Sequence, residues 1–184
     1  VPKLYTDANR NAKKYKVLPH RFLSDYDVSV WIDGNIQVTG DVREIITSYL
    51  ADNNAAFFDH NQNTLDPRNC IYKEYETIMY FGQKNGNYKD HPSIMTNQIT
   101  QYMNEGYPFN NGLTTNMIIF RKHNEQDVIE TMENWWTEIK YHSKRDQLSF
   151  NYIAWKDKFE FNYIPGDSRH NKYFYHLGKH IGKK

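Results

Sequence analysis

A carboxylate, a glycine and an amide follow an apolar run in the stretch YDVSVWIDGNIQV, where they occupy positions 33, 34 and 35. The carboxylate of Asp33 and the amide oxygen of Asn35 are the kinds of ligand that Mg²⁺ and Mn²⁺ take in proteins. Gly34 would let a ligand approach the backbone closely. The same three residues are also good turn formers, so the stretch by itself favours a turn, with a metal site as the alternative.

The elements around this stretch indicate where it lies in the fold. Alternating or short apolar runs predict strands at residues 28–32, 55–60, 114–122 and 159–165. Helical periodicity predicts helices at residues 11–23, 40–53, 72–81, 94–103 and 125–142. Strands and helices that alternate along a chain indicate an α/β fold with a mostly parallel sheet. Ligands of such folds bind at the carboxyl ends of strands, which is where we expect Asp33.

Composition limits the class of protein. The 184 residues are enough for one domain, 1–184, and 39% hydrophobic with 24% charged residues are globular proportions. A net charge of +1 argues against a nucleic-acid partner, because binding duplex phosphates needs a concentrated basic face. The single cysteine, Cys70, excludes an internal disulfide and favours a reducing, cytoplasmic location. No apolar run approaches the roughly 20 residues of a transmembrane segment.

Five segments in order carry a resemblance to a known family. They are KYKVLPHRFLSDYDVSVWIDGNI, DHNQNTLDPRNCIYKE, NQITQYMNEGYPFNNGL, FRKHN and RDQLSF. As a set they resemble the glycosyltransferase-like domain of plant mucilage and turgor-regulating proteins and of its bacterial and viral relatives. More distantly, the segments are similar to glycogenin-like glycosyltransferases. The resemblance implies a GT-A-like, Rossmann-like fold. It also implies that the first βαβ unit, with its nucleotide-binding strands, is missing or trimmed here.

The resemblance implies a divalent cation, Mn²⁺ or Mg²⁺, at the end of the first predicted strand. Asp33 would hold it together with Asn35 and with His176 from the C-terminal stretch YHLGKH. The related transferases carry a second aspartate where this chain has Asn35. The expected metal site of this chain therefore has one negative charge fewer. The alternative for His176 is an ordinary surface histidine, since the chain contains 8.

The resemblance also implies a site for a nucleotide-sugar, with a UDP-linked sugar as the expected donor. Four basic side chains are expected to bind its phosphates: Lys13, Lys16, Arg145 and Lys179. Three residues are expected to line the pockets for the sugar or for the glycan acceptor: His60, Asn111 and Gly112. The alternatives are a solvated helix face for the first two lysines, a solvated tail for Lys179 and a structural role for His60.

Asp146, in RDQLSF, is the candidate catalytic residue. If the sugar inverts, a carboxylate there could accept the proton of the acceptor hydroxyl. If configuration is retained, it could stabilise an oxocarbenium-like centre instead. Asp146 could also cap the N-terminus of a helix over the following residues, QLSFNYIAW.

These observations predict a metal-dependent glycosyltransferase that moves a sugar from a nucleotide-sugar to a glycan hydroxyl. One alternative is a non-catalytic remnant of the same fold that binds glycans or nucleotides, since Asn35 weakens the metal site. A metal-dependent phosphohydrolase using Asp33 ranks last, because the sequence offers no second acidic cluster.

Overall fold

The computed structural model describes residues 5–178. This part of the chain contains six α-helices: α1 (Ala8–Val17), α2 (Arg43–Tyr49), α3 (Ile71–Asn85), α4 (Pro92–Asn104), α5 (Gln126–Tyr141) and α6 (Phe150–Asp157). Its six β-strands are β1 (Ser29–Ile32), β2 (Ile36–Val38), β3 (Ala55–Asp59), β4 (Thr114–Arg121), β5 (Asn162–Ile164) and β6 (Phe174–His176). None of the helices in these residues is long and apolar enough to cross a bilayer.

The main sheet has the strand order β1-β4-β3-β5. The β1–β4 and β3–β4 pairs are antiparallel and the β3–β5 pair is parallel. The fold is therefore α/β as predicted, but the mostly parallel sheet is not confirmed within residues 5–178. Residue alternation predicts that β4 is a strand without indicating its direction, and β4 runs opposite to both neighbours. β1, β3 and β5 nevertheless share one direction, so their carboxyl ends lie at one edge of the sheet.

An irregularity in β4 lies beside that edge. Phe57 of β3 is opposite Ile119, whereas the next residue, Phe58, is opposite Thr115. Residues 116–118 of β4 therefore have no partner on β3 at this point. Bulges of this kind bend a strand and change the direction of its side chains, and they are frequent next to functional sites.

Side chains on the two faces of the sheet form two hydrophobic clusters. Phe57 and Phe58 are adjacent on β3 and face opposite sides, as successive strand residues do. Phe57 packs against Phe150 of α6, with ring centroids 4.2 Å apart, in the cluster that also contains the fully buried Trp135 of α5. Phe58 packs against Phe174 of β6 on the other face, at 5.9 Å. Both faces are thus covered, which leaves the sheet edge for a site.

Most predicted elements are confirmed, with differences at their ends. The helix predicted at residues 11–23 begins at Ala8 and ends at Val17. A proline disfavours helical backbone at the residue before it, and Leu18 precedes Pro19 outside the helix, with a ψ of +53°. Pro19–Arg21 then forms a short 3-10 turn.

A second, two-stranded sheet joins the C-terminal part of the described chain to the first strand region. β2 and β6 are antiparallel, with Ile36 opposite His176. Leu177 also donates its backbone N–H to the carbonyl oxygen of Asn35 at 2.9 Å. This pairing places residues 174–178 next to the turn that follows β1.

Candidate functional site

A cleft of about 760 Å³ opens at the edge where β1 and β3 end. Eight predicted site residues line it: Lys13, Lys16, Asp33, Asn35, His60, Arg145, Asp146 and His176. Asn111 and Gly112 are not among its lining residues, and Lys179 lies outside the described residues. The lining contains six Lys or Arg and three Asp side chains, in a chain whose net charge is only +1. The cleft therefore concentrates positive charge and suits an anionic ligand.

Asp33 forms both the turn and part of the cleft wall. Its carbonyl oxygen accepts the N–H of Ile36 at 2.9 Å, which closes a turn, while its carboxylate lines the cleft. Oδ1 accepts a hydrogen bond from the indole N–H of Trp31 at 2.7 Å and lies 3.4 Å from Lys16 Nζ. Oδ2 has no hydrogen-bond partner within residues 5–178. The sequence left a turn and a ligand site at Asp33 as alternatives. The structure is compatible with both at once.

Gly34 is not required by the geometry of this turn. Its φ lies outside the left-handed region, and a Cβ atom added there would meet no atom within 4 Å. The open space beside Gly34 is consistent with close approach of a ligand to the backbone.

Asn35 and His176 contact each other although 141 positions separate them. Asn35 Nδ2 lies 2.9 Å from His176 Nε2 and donates to the carbonyl oxygen of Gly178 at 3.1 Å. The three predicted metal ligands thus line one cleft, with a carboxylate, an amide and an imidazole. No group of three His, Cys, Asp or Glu side chains that could hold a metal occurs within the described residues. Both ring nitrogens of His176 are in contact, Nε2 with Asn35 and Nδ1 with the backbone N–H of Gly178 at 3.3 Å, so a cation bound there would replace one of these contacts. Asp33 Oδ2 is the open ligand, and a hard cation that completes its shell with substrate phosphates needs only one or two carboxylates.

Asp146 is buried in an ion cluster. Its Oδ2 lies 2.5 Å from Lys13 Nζ and 2.8 Å from Lys16 Nζ, and only 3% of its side chain is exposed. Burial alone would raise the pKa of Asp146, but Lys13, Lys16 and Arg145 hold it well below its usual range. We call the two lysines, Lys13 and Lys16, together with the two carboxylates that they contact, Asp33 and Asp146, the lysine quartet.

Two alternatives raised by the sequence are wrong for this cluster. Asp146 begins a 3-10 turn, Asp146–Leu148, whose N-cap position belongs to Arg145, and no side chain caps it. Lys16 is not on a solvated helix face, because only 2% of its side chain is exposed. Lys13 is more accessible, at 21%. Burial lowers the pKa of Lys13 to about 8, although Asp146 raises it in part.

A second group of charges, which we call the arginine cluster, lies in the cleft and in a cavity that adjoins it. It consists of Arg68, Arg145, Arg169 and Lys89 with the carboxylates Asp66 and Glu74. Glu74 is 2% exposed and accepts hydrogen bonds from Arg68 Nε at 2.9 Å and from Arg145 Nη2 at 3.0 Å. Burial alone would raise the pKa of Glu74, but the two arginines hold it below its usual range. Glu74 therefore fixes both guanidinium groups.

Asp66 extends the arginine cluster towards the C-terminal segment. Its two oxygens accept from Arg169 Nη1 at 2.7 Å and Nη2 at 3.1 Å, a bidentate pair. Arg68 Nη2 lies 3.4 Å from Asp66 and 3.3 Å from His60 Nε2. Burial lowers the pKa of His60, which is only 3% exposed. His60 thus lines the cleft as a buried imidazole whose neutral form is favoured.

A comparison of the sequence with models of known protein families shows which family the chain belongs to. The model of the TOD1/MUCI70 glycosyltransferase-like domain matches residues 2–174. The chain belongs to this family. The resemblance drawn from the five motifs is thereby confirmed.

One curated relative of this TOD1/MUCI70 domain is similar over most of the chain. It is "Probable hexosyltransferase MUCI70" from Arabidopsis thaliana, 26% identical over 157 residues, which are 81% of this chain and 25% of the relative. The chain thus spans about a quarter of the length of that relative. No solved structure matches the chain.

Several residues in or beside the cleft were not predicted as site residues from the sequence. Arg68 and Glu74 belong to one of the five family motifs, but no role was predicted for either residue. No role was predicted for Asp66, Lys89 or Arg169. Asp66 and Arg169 are revealed only by a contact between distant segments, because 103 positions separate them. Asn116 was also missed, and the irregular part of β4 brings it into the cleft lining.

Asn111 and Gly112 instead shape the loop that enters β4. The carbonyl oxygen of Asn111 accepts the hydroxyl of Tyr107 at 3.4 Å. Gly112 has a φ of +83°, and a Cβ atom there would collide with the hydroxyl of Tyr163. Their predicted role at a sugar pocket stays a prediction.

Proposed function

We propose that this domain transfers a sugar from a nucleotide-sugar, with UDP as the expected carrier, to a hydroxyl group of a glycan acceptor. The observation that carries the proposal is the cationic cleft beside Asp33, at the shared carboxyl ends of strands, in a chain of the TOD1/MUCI70 family. The relative named "Probable hexosyltransferase MUCI70" supports a glycosyl group as the transferred unit. The cleft supplies positive charge where a diphosphate would leave.

Asp33, Asn35 and His176 would hold a divalent cation, Mn²⁺ or Mg²⁺, in this mechanism. Bound there, the cation would supply Lewis-acid stabilisation of the leaving nucleoside diphosphate. Asp33 is already oriented for this role, because the indole of Trp31 holds one of its oxygens while the other has no partner in the described residues.

Asp146 would act as a fixed negative charge more than as a base. A carboxylate whose pKa lies well below its usual range is a weak proton acceptor at neutral pH. Its charge would instead favour an oxocarbenium-like centre formed within the cleft. The paired lysines hold this carboxylate in place and in its charged form.

A non-catalytic binding domain of the same fold is the second candidate. The observation that favours it is the ion pair of Lys16 with Asp33, which neutralises the one carboxylate of the proposed metal site. In such a domain the cleft would bind a nucleotide-sugar or glycan without turnover.

The experiment is an assay of UDP release with purified protein and Mn²⁺. UDP-glucose, UDP-galactose and UDP-N-acetylglucosamine would be tested with mixed plant and bacterial oligosaccharides. We expect metal-dependent release from at least one donor, lost in Asp33→Ala. Binding of a donor without release by wild type would favour the binding domain, and absence of binding to every donor would refute both proposals.

A further inference from the structure

Charge is divided unevenly between the lysine quartet and the arginine cluster. In the lysine quartet, two ammonium groups face two carboxylates at 2.5 to 3.4 Å. Their charges are therefore balanced within the protein. In the arginine cluster, the three arginines form direct ion pairs with only two carboxylates of the described residues, Asp66 and Glu74, and Lys89 forms none there. Arg145 also attracts Asp146, and Arg169 attracts Asp167, without a direct ion pair. The surplus positive charge of the cleft therefore belongs to the arginine cluster.

The guanidinium groups of this cluster are held in place and partly open. Arg68, Arg145 and Arg169 are each tied to a carboxylate through Nη2, and their side chains are 16%, 31% and 20% exposed. Arg68 Nη1, Arg145 Nη1 and Arg169 Nε have no hydrogen-bond partner within residues 5–178. Donors of a fixed guanidinium match the oxygens of phosphate, and fixing them beforehand lowers the entropic cost of binding.

Lys89 adds a cation that no carboxylate neutralises in the described part of the chain. Its side chain is exposed and forms no ion pair there. Lys89 and Arg145 line the main cleft and also the two cavities that adjoin it. Lys89 is therefore placed within reach of a ligand that extends between these spaces.

We propose that the arginine cluster, rather than the lysine quartet, binds the diphosphate of the nucleotide-sugar. This assignment rests on the proposed function and deepens it, by giving the donor phosphates a site made of Arg68, Arg145, Arg169 and Lys89. Glu74 is a positioning residue of that site, because both its oxygens orient arginines. The lysine quartet then serves chiefly to hold Asp33 and Asp146 in their charged forms.

Affinities for UDP, UMP and uridine, measured by calorimetry, test the assignment. Arg169→Gln and Lys89→Gln are each expected to weaken UDP binding by roughly tenfold, since a charged hydrogen bond contributes about 1.5 kcal/mol or more. Uridine affinity should stay unchanged in both variants. Lys13→Gln should weaken UDP by less than about threefold. Lys172→Gln, which removes the same charge outside the cleft, is the background control.

Folding and positioning can be separated in the same experiment. Lys89 has no ion pair to lose within the described residues, so its variant tests binding without disturbing the fold. Glu74→Gln should reduce UDP affinity, and Glu74→Asp should recover part of it, while uridine binding is retained.

Three outcomes would overturn the assignment in distinguishable ways. If Lys13→Gln weakens UDP binding as much as Arg169→Gln and Lys89→Gln, or more, the diphosphate lies at the lysine quartet and the proposed function stands. If all three variants lose affinity for uridine and for UDP by the same factor, the arginine cluster does not bind the phosphates. Failure of the wild type to bind UDP, GDP or any nucleotide-sugar would refute the assignment together with the proposed function.

Discussion

Lys16 Nζ lies 2.8 Å from Asp146 Oδ2 in the interior of the domain, where 2% and 3% of these side chains are exposed. Removing one partner of a buried ion pair leaves an uncompensated charge, which typically costs about 3 kcal/mol or more. We therefore expect Asp146→Asn to lower the free energy of unfolding by about 3 kcal/mol at pH 7. Urea denaturation measures this change. Asp41→Asn, in an exposed pair with Arg43, is the matched control and should show no measurable change.

The pKa of Asp146 also predicts how stability depends on acid. Its pKa in the folded protein is far below the value of about 3.9 in an unfolded chain, so the native state binds this proton only at a lower pH than the unfolded state does. The stabilisation is fully present above about pH 5 and is lost progressively as pH falls through the unfolded pKa towards the folded pKa. Wild type should therefore lose stability between pH 5 and 3 more steeply than Asp146→Asn. Parallel slopes for the two proteins would contradict this.

Lys13 should be an unusually reactive amine. Burial lowers its pKa to about 8, so about half of the groups are neutral at pH 8, against well under 1% for an ordinary lysine near pKa 10.4. Its side chain is 21% exposed, which leaves it accessible to a small reagent. Limited acetylation at pH 7, 8 and 9, read by peptide mass spectrometry, should modify Lys13 ahead of the other lysines. Labelling of Lys13 at or below the average rate would refute the prediction.

Variants of the three proposed metal ligands should change Mn²⁺ affinity in different directions. With UDP present, Asp33→Asn should abolish binding, and His176→Ala should weaken it by about tenfold or more. Asn35→Asp should strengthen binding, because it restores a second carboxylate. Electron paramagnetic resonance of free Mn²⁺ measures all three without relying on turnover. An unchanged affinity in His176→Ala would remove the C-terminal ligand from the site.

Two glycines near the cleft should respond differently to alanine. Gly112→Ala places a Cβ atom against Tyr163 at a φ of +83°, so we expect a loss of roughly 1–3 kcal/mol in unfolding free energy. Gly34→Ala meets open space at an ordinary φ and should fold like wild type. If a ligand approaches the backbone at position 34, the same variant should bind UDP-sugars less tightly. Denaturation and calorimetry on both variants separate the two effects.

The local elements could be predicted from the sequence because they depend on neighbouring residues. Strand alternation located β1, and helical periodicity located α5, which buries Trp135 as a core residue. The direction of β4 could not be predicted, since its partners β1 and β3 lie far away in the chain.

The site was predicted in part for the same reason. Asp33 stands at a recognisable strand end, and the family motifs supplied Asn35, His176 and Asp146. The burial of Lys16 was missed, because a basic helix face is usually solvated and its two carboxylate partners come from other segments. No local spacing rule joins Asp66 to Arg169.

The pairing of β2 with β6 has a consequence for how the protein is made. Synthesis proceeds from the N-terminus, so the turn at residues 33–35 leaves the ribosome long before residues 174–178, which complete the wall of the cleft beside it. A nascent chain that ends before residue 169 has the lysines and arginines of the first 145 residues but lacks both His176 and Arg169. Incomplete chains would therefore lack one side of the cleft and could not consume the activated sugar that the finished domain is proposed to use.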